Sequence, residues 1–413
     1  MAKGARHREE GSAGPTQRFG FNRMELAGSL GDLGTLLPLA LGMILVNGLN
    51  PMGLFFTVGV YYILSGIYFG VTVPVQPMKV IGAYAIATAM SAPQIFASGL
   101  IMAVVLLIIG STGLVSLMGK YIPRPVVRGV QLSTGMLLAA QGVKFMAGTS
   151  TFQLIQETAE PHLIIQSLGT IPIGIVIGVF GGILTLLLLD NRRLPAGLIL
   201  VLGGIILGLV LGRHEGFDRL GIEFNLPDIF PFDMPSRLDF TFALLALVLP
   251  QVPMTLGNAV FAYSDLSREY FGDRSRRVTY RGACISMALA NLLSFVFGGM
   301  PLCHGAGGLA AHYRFGARTA GSNLIIGLSF VVLAVLLGSH ILTVINLLPM
   351  SVLGVLLLFA GSQLALTITD VHERKDLFVV LTMLAITLAS NLAVGFVAGI
   401  FIAFVLKFKK LGV

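Results

Sequence analysis

The stretch VTVPVQPMK at residues 71–79 places two prolines, a glutamine and a lysine inside a long apolar region. Proline has no backbone N–H and disfavours helix at the residue before it. This segment should therefore be extended, with a helix beginning near Pro77. A second stretch, MPLCHGAGG at residues 300–308, has the same character, and there a helix should begin near His304. The two stretches predict two half-helices that begin inside the apolar layer.

The composition around these breaks is that of a membrane protein. The 413-residue chain is 55% hydrophobic and 11% charged, and its mean hydropathy is +0.89. Soluble domains carry roughly a quarter charged residues. Apolar runs of about 20 residues, the length that crosses a bilayer as a helix, recur from end to end. We expect an all-α polytopic protein whose main surroundings are the lipid bilayer.

Counting the apolar segments gives an internal repeat. With the two interrupted stretches as spans 3 and 10, the sequence predicts 14 spans, seven on each side of the polar residues 214–237. Because seven is odd, the two halves (about 25–214 and about 237–408) must run in opposite directions as a 7+7 inverted repeat. Short Pro/Gly-broken segments at matching positions are the best sequence indicator of a transporter binding site.

The basic residues set the expected orientation. The net charge is +8, but the cations lie in the tails and in short connections such as 190–194, 267–281 and 372–376, so no nucleic-acid partner is expected. The 148–167 connection has no Lys or Arg. By the positive-inside rule both termini are cytoplasmic, with a tail at 1–24 before the membrane domain at 25–413. We expect an integral protein of the cell (inner) membrane.

The broken segments have the chemistry of an anion site. A helix N-terminus carries roughly +0.5 of a charge and unpaired N–H groups. Gly305 and Gly307 leave the backbone uncovered, and Lys79 could add a full charge. Asp32 is the other charged residue between Glu25 and Lys120, so it should be paired or protonated, as a structural or coupling charge. The alternatives are that the breaks are packing kinks and that Lys79 only pairs with Asp32 or extends its ammonium group to the membrane surface.

Other chemistries fit the sequence less well. His304 and His312 are too far apart along one helix to share a metal ion, and Cys303 and His304 diverge as sequence neighbours. A second intramembrane aspartate that would complete a protease dyad with Asp32 is missing from the sequence. We therefore expect no enzyme activity, no metal and no cofactor.

Four segments resemble the molybdate transporter family, a branch related to the SulP sulfate permeases. They are VPVQPMK followed by IGAYAIA, MPLCHGAGGLAAHYRFGART at 300–319, GDLGTLLPLAL at 31–41 and LPQVPMTLGNAV at 249–260. The resemblance covers the whole membrane region. It implies the inverted seven-plus-seven fold, with a core domain (spans 1–4 and 8–11) that moves against a gate domain (spans 5–7 and 12–14). The resemblance to the molybdate branch also implies a protein without the STAS domain that most sulfate permeases carry.

We thus expect a secondary active transporter of a tetrahedral oxyanion, with molybdate as the expected substrate, working by alternating access with the anion held between two opposed half-helix N-termini. Sulfate is the main alternative, and an anion channel is a further one. Relatives with this fold commonly dimerise, which suggests a homodimer. The predicted substrate contacts are Thr35, Gln76, Pro77, Lys79, Gln251, Thr255, Asn258, Cys303, His304, Gly305, Ala306 and Gly307.

Overall fold

The architecture is taken from a computed structural model of the chain. The structure describes residues 18–115, 123–189, 191, 196–213, 217, 220–338 and 340–408. Most of the predicted cytoplasmic tail, the basic residues of the 190–194 connection, parts of the polar 214–237 segment and the last five residues lie outside the described residues.

The first half of the described chain is helical apart from three very short strands. Its helices are α1 (Arg23–Ser29), α2 (Leu33–Leu45), α3 (Pro51–Phe69), α4 (Lys79–Thr88), α5 (Ala92–Thr112), α6 (Arg124–Ala147), α7 (Thr151–Ile155), α8 (Ile173–Leu188) and α9 (Ala196–Leu211). Its strands are β1 (Gln76–Pro77), β2 (Ser167–Leu168) and β3 (Ile171–Pro172).

The second half has the same character. Its helices are α10 (Arg237–Ser275), α11 (Tyr280–Phe297), α12 (Ala306–Phe315), α13 (Gly321–Leu337), α14 (His340–Ile345), α15 (Met350–Ala365), α16 (Arg374–Ala389) and α17 (Leu392–Phe408). The strand β4 (Leu302–Cys303) precedes α12. Helix α10 contains two π-helical stretches, at Ala243–Val248 and Thr255–Ala262.

Local sequence explains where the helices begin and end. At the start of α3 the Asn50 side chain accepts hydrogen bonds from the N–H groups of Met52 and Gly53, and Pro51 occupies the first turn. The helix ends at Gly70, whose φ of 74° is in the left-handed region that glycine adopts without strain. Helices α1 and α2 are bent by 41° relative to each other, with Asp32 at the break.

Several helices are long enough to cross a membrane. Among the described residues, five pass by length and composition, namely α3, α5, α10, α11 and α15, and six if the bent pair α1–α2 is one span. Shorter apolar helices include α4, α8, α9, α13 and α17. These helices indicate an integral membrane protein, and the count of 14 spans in a 7+7 arrangement stays a prediction.

The two interrupted stretches cross each other in the interior. β1 pairs with β4 in antiparallel register, so that Gln76 lies opposite Cys303 and Pro77 opposite Leu302. The Met78 N–H also donates to the Pro301 carbonyl, at 2.9 Å. This pairing keeps the chain extended as far as residue 78, so α4 begins at Lys79 and not at the predicted Pro77. Likewise α12 begins at Ala306, two residues after the predicted His304.

The helices pack as two groups. In the first, α3 contacts α11 and α13, α5 contacts α10 and α11, α1 contacts α12 and α13, and α2 contacts α4. In the second, α6 contacts α8, α15, α16 and α17, and α8 contacts α9. The groups meet where α4 packs on α6 and where α2 packs on α9 and α15. The crossing of β1 and β4 lies in the first group, beside this boundary.

Candidate functional site

A cavity of about 970 Å³ lies at the boundary between the two helix groups. Its wall includes residues of α2, α4, α10 and α12 on one side and of α6, α9 and α15 on the other. It extends to the end of the molecule where α6 begins and α12 ends. Of the predicted substrate contacts, four line it: Thr35, Lys79, Asn258 and Gly307.

Lys79 supplies a positive charge to this cavity. It is the first residue of α4, directly after the broken segment, and its side chain is half-buried. Among the described residues, no carboxylate lies within ion-pair distance of Lys79, so the predicted alternative of an ion pair with Asp32 is not seen. The ammonium group is thus available to an anion in the cavity.

Three glycines make part of the cavity wall from bare backbone. Gly34 in α2, Gly257 in α10 and Gly307 in α12 all line the cavity. A Cβ atom added at any of them would meet no atom within 4 Å. The space beside these glycines is therefore open toward the cavity, so their main chain is accessible from it.

Gln251 caps the N-terminus of α4. Its Oε1 atom accepts hydrogen bonds from the N–H groups of Val80 at 2.9 Å and Ile81 at 3.2 Å. Its Nε2 group donates to the Thr255 hydroxyl at 2.8 Å. Gln251 and Thr255 are buried and do not belong to the cavity lining. Two first-turn donors of α4 that the sequence assigned to substrate are occupied by protein.

Asp32 and Gln76 form a buried pair behind the cavity wall. The Gln76 Nε2 group donates to Asp32 Oδ1 at 2.6 Å. Within the described part of the chain, Asp32 Oδ2 and Gln76 Oε1 have no hydrogen-bond partner although both are buried. A Cβ atom at Gly308 would lie 2.5 Å from Asp32 Oδ2, and one at Gly305 would lie 2.1 Å from Gln76 Oε1. Only glycine fits at these two positions.

His304 is enclosed beside the crossing and does not line the cavity. Its Nδ1 atom lies 2.9 Å from the Pro74 carbonyl, an acceptor, so Nδ1 carries the proton. Its Nε2 atom accepts from the Tyr61 hydroxyl at 2.8 Å, and its ring stacks on Tyr263. Both ring nitrogens are satisfied, and the side chain is fully buried. Direct contact of His304 with substrate stays a prediction that this arrangement does not support.

The remaining predicted contacts belong to the crossing itself. Pro77 and Cys303 lie in β1 and β4 and are fully or almost fully buried. Gly305 is the residue that precedes α12, and Ala306 is the first residue of that helix. The N-terminus of α12 thereby reaches the cavity, where Gly307 is exposed.

Three arginines that were not predicted as site residues line one end of the cavity. Arg124 and Arg128 of α6 and Arg314 of α12 line it. Both α6 arginines pair with the carboxylate of Asp370, and Arg128 also donates to Gln131 Oε1 at 2.7 Å. The first two belong to the sequence RPVVR at residues 124–128, which the sequence analysis did not connect with the broken segments.

A family model described as "Molybdate transporter of MFS superfamily" matches residues 24–138 and 243–364, more than half of the chain. The chain belongs to the molybdate transporter family. The two matched regions contain nearly all of α1 to α5 with most of α6, and most of α10 with α11 to α15 nearly complete, so they include both broken segments. The resemblance found in the sequence is confirmed.

Curated relatives in this family are plant and algal proteins. Molybdate transporter 2 of Arabidopsis thaliana is 32% identical over 417 residues, which cover 94% of this chain and 88% of that protein. Molybdate transporter 1 of Chlamydomonas reinhardtii is 29% identical and covers 91% of this chain and 90% of its own length. The similarity therefore extends over nearly the whole of each molecule.

Solved structures share the fold. The transmembrane domain of the cyanobacterial bicarbonate transporter BicA has a TM-score of 0.65 at 15% identity and covers 91% of this chain and 97% of that chain. Murine Slc26a9, an anion transporter described in its inward-facing state, has a TM-score of 0.63 at 14% identity and covers 93% of this chain and 68% of that chain. At these identities the likeness shows the fold alone.

Proposed function

We propose that this protein is a secondary active transporter of molybdate that works by alternating access. The observation that carries the proposal is the cavity between the two helix groups, where Lys79 follows one broken segment and Gly307 follows the other. Thr35 and Asn258 add neutral polar groups to the same wall. The names of the curated relatives support molybdate as the substrate.

The cavity offers the interactions that a tetrahedral dianion requires. A bare dianion in a low-dielectric site would face a penalty of tens of kcal/mol. Lys79 offsets part of it with a full charge, and the N-terminus of α12 adds roughly half a charge together with N–H donors. Each hydrogen bond to an ionic ligand contributes about 1.5–3 kcal/mol. The positive charges at one end of the cavity, on Arg124, Arg128 and Arg314, raise the local concentration of anions.

The two helix groups suggest how the site changes its exposure. The substrate wall with both broken segments lies in the group of α1–α5 and α10–α13, which we take as the core domain. The α6-centred group is then the gate domain of a 7+7 inverted repeat. With cytoplasmic termini, the end of the cavity that Arg124 and Arg314 line faces the cytoplasm, and we take the conformation as inward-open. Homodimerisation stays a prediction.

We assign proton coupling to Asp32 and not to His304. Asp32 keeps a buried oxygen without a partner among the described residues, whereas both ring nitrogens of His304 are bonded. Asp32 also contacts Gln76 of the broken segment, which links its protonation to the substrate wall. Asp32→Asn keeps the side-chain volume and should abolish the stimulation of uptake by an inward proton gradient. Unaltered stimulation in Asp32→Asn would contradict this assignment.

Uptake into proteoliposomes tests the transport function. Purified protein should accumulate labelled molybdate with saturation, and a tenfold excess of unlabelled molybdate should compete more strongly than the same excess of sulfate. Stronger competition by sulfate would identify a sulfate transporter. A flux without saturation that is accompanied by conductance would identify a channel. Vesicles without protein, and vesicles with Lys79→Ala, serve as controls.

A further inference from the structure

A second cavity, of about 270 Å³, lies apart from the substrate cavity and shares no lining residue with it. Three separated segments build it: the chain before α1, the end of α3, and the end of α10 with the turn after it. We call it the arginine pocket. Its lining residues are Arg18, Phe69, Gly70, Asp273, Arg274, Arg276 and Arg277.

The arginine pocket is strongly cationic. It contains four guanidinium groups and one carboxylate, and no ion pair joins Asp273 to any of the arginines in the described chain. Each guanidinium has five N–H donors in a planar fork that fits phosphate oxygens in a bidentate manner. A net charge of about +3 in one concave site is costly by mutual repulsion unless an anion enters it.

Backbone contacts hold three of the arginines in place. Arg18 donates to the Ile67 carbonyl, and Arg277 donates to the Tyr68 carbonyl at 3.0 Å. Arg274 donates to the Arg318 carbonyl at 3.1 Å. Capping of the last carbonyls of α3 explains the positions of Arg18 and Arg277. It does not explain why Arg274 and Arg276 line the same cavity. One bond per guanidinium leaves most donors for a ligand.

The pocket lies at the edge of the apolar surface. Leu64, Ile67 and Tyr68, in the last turns of α3, are exposed to 56%, 44% and 52%. In a membrane protein, exposed apolar side chains of this kind contact lipid tails. Phe69 and Gly70 follow these residues in sequence and line the pocket, so in the proposed orientation we place the arginines near the cytoplasmic headgroup region. A phosphate group carried by a lipid would reach the pocket while its acyl chains pack against α3.

We propose that the arginine pocket binds the phosphate group of an anionic lipid. In the proposed orientation the connection at 267–281 is cytoplasmic, so the lipid belongs to the inner leaflet. Binding there would tie the segment at Arg18 to the ends of α3 and α10, all of which contact the first helix group. The site is independent of the substrate cavity, and its test does not depend on which anion is transported.

Binding of dioctanoyl phosphatidic acid to the purified full-length protein, measured by native mass spectrometry and by calorimetry, tests the site. Arg276→Gln is the cleanest variant because Arg276 is exposed and its side chain makes no hydrogen bond within the described residues. It should weaken binding about fivefold, which corresponds to about 1 kcal/mol. Arg276→Gln/Arg277→Gln should weaken it further. The control is Arg237→Gln, which removes an exposed arginine at the opposite end of α10.

Two further ligands separate the sources of the phosphate group. If the lipid is the ligand, inorganic phosphate should bind at least tenfold more weakly than phosphatidic acid. If inorganic phosphate binds as tightly as phosphatidic acid, the ligand is soluble phosphate, and the lipid proposal is wrong. Dioctanoyl phosphatidylcholine should bind more weakly than phosphatidic acid because its headgroup has no net charge. Equal loss of affinity in Arg237→Gln and Arg276→Gln, or equal binding of phosphatidylcholine and phosphatidic acid, would overturn the proposal.

Discussion

The two broken segments share one local design but differ in what they present to the cavity. Each consists of two strand residues followed by a ten-residue helix, and the strands pair with each other. At α4, Gln251 occupies the N–H groups of Val80 and Ile81, and the cavity receives the charge of Lys79. At α12, the first turn is glycine-rich, and the cavity receives bare backbone at Gly307. One segment thus supplies a positive charge, and the other lets an anion approach the backbone closely.

This difference is lost if the charge of α4 is removed. Lys79→Ala should weaken molybdate binding by roughly tenfold to a hundredfold, because a charged hydrogen bond contributes about 1.5–3 kcal/mol. The effect should be smaller for a monovalent anion than for molybdate. Calorimetry on purified protein measures both, with Lys144→Ala, an exposed lysine outside the cavity, as the control. Equal losses in Lys79→Ala and Lys144→Ala would contradict a role for Lys79 in binding.

The close approach of the anion to the backbone of α12 is tested by adding one methyl group. Gly307→Ala meets no protein atom within 4 Å, so it should fold normally, but its methyl group would occupy cavity space. Overpacking of a fitted site costs about 1–3 kcal/mol, which corresponds to roughly tenfold weaker molybdate binding. Sulfate, whose bonds to oxygen are shorter, should lose less.

The matched control for this change is Gly203→Ala. Gly203 also has open space at its Cβ position, but it lies in α9 outside the cavity lining. Both substitutions replace a helical glycine with alanine, so any gain in helix propensity is common to them. If Gly307→Ala bound molybdate as tightly as Gly203→Ala does, the wall at Gly307 would not contact the substrate.

The capping role of Gln251 predicts a change in stability and little change in affinity. Gln251→Met is similar in size but leaves the buried N–H groups of Val80 and Ile81 without an acceptor. Each such group costs about 1–3 kcal/mol, so thermal unfolding in detergent should occur at a lower temperature. Molybdate affinity of the folded fraction should fall by less than about threefold. Gln251→Glu, which keeps an acceptor oxygen, should recover much of the stability. A large loss of affinity with normal stability would indicate direct contact of Gln251 with substrate.

Glu160 gives a third helix N-terminus for comparison, distant from the cavity. Its carboxylate accepts hydrogen bonds from the N–H groups of Met350 and Ser351, both at 2.9 Å, at the start of α15. Burial raises the pKa of Glu160 above its ordinary value, and the hydrogen bonds to Ser351 and Met350 lower it by a smaller amount. The folded state therefore binds the proton more tightly than the unfolded state does.

The consequence is a defined dependence of stability on pH. The contribution of Glu160 is complete below its unfolded pKa of about 4.3 and declines as the pH rises through the higher folded pKa. Glu160→Gln should flatten this part of the curve of unfolding temperature against pH and leave molybdate affinity unchanged. A steeper decline with rising pH in Glu160→Gln would contradict the direction of the shift.

Much of this arrangement followed from the sequence because proline and glycine act locally. Pro74, Pro77 and the glycines of 300–308 predicted two extended breaks that lead into short helices, and the structure has both. The pairing of β1 with β4 was not predictable in the same way, since it depends on how two distant segments meet in the folded chain.

The residues of the site were harder to predict from the sequence than the two broken segments were. Polarity alone marked Gln251 and His304 as ligands, but each can satisfy protein groups equally well, and the structure places them beside Val80 and Pro74 respectively. Conversely, Arg128 was not predicted as part of the site, because its distance from the broken segments along the sequence gave no indication of the shared cavity. Which polar groups face the cavity is decided by packing.

Locating the bound anion tests the central claim most directly. Molybdenum scatters X-rays anomalously, so crystals of the protein grown with molybdate would show the metal position without ambiguity. The account predicts one strong anomalous peak inside the cavity, with its oxygens within hydrogen-bond distance of Lys79 Nζ and the Gly307 N–H. A peak only beside Arg124 and Arg128, or only outside the cavity, would contradict the claim that the two broken segments together bind the substrate.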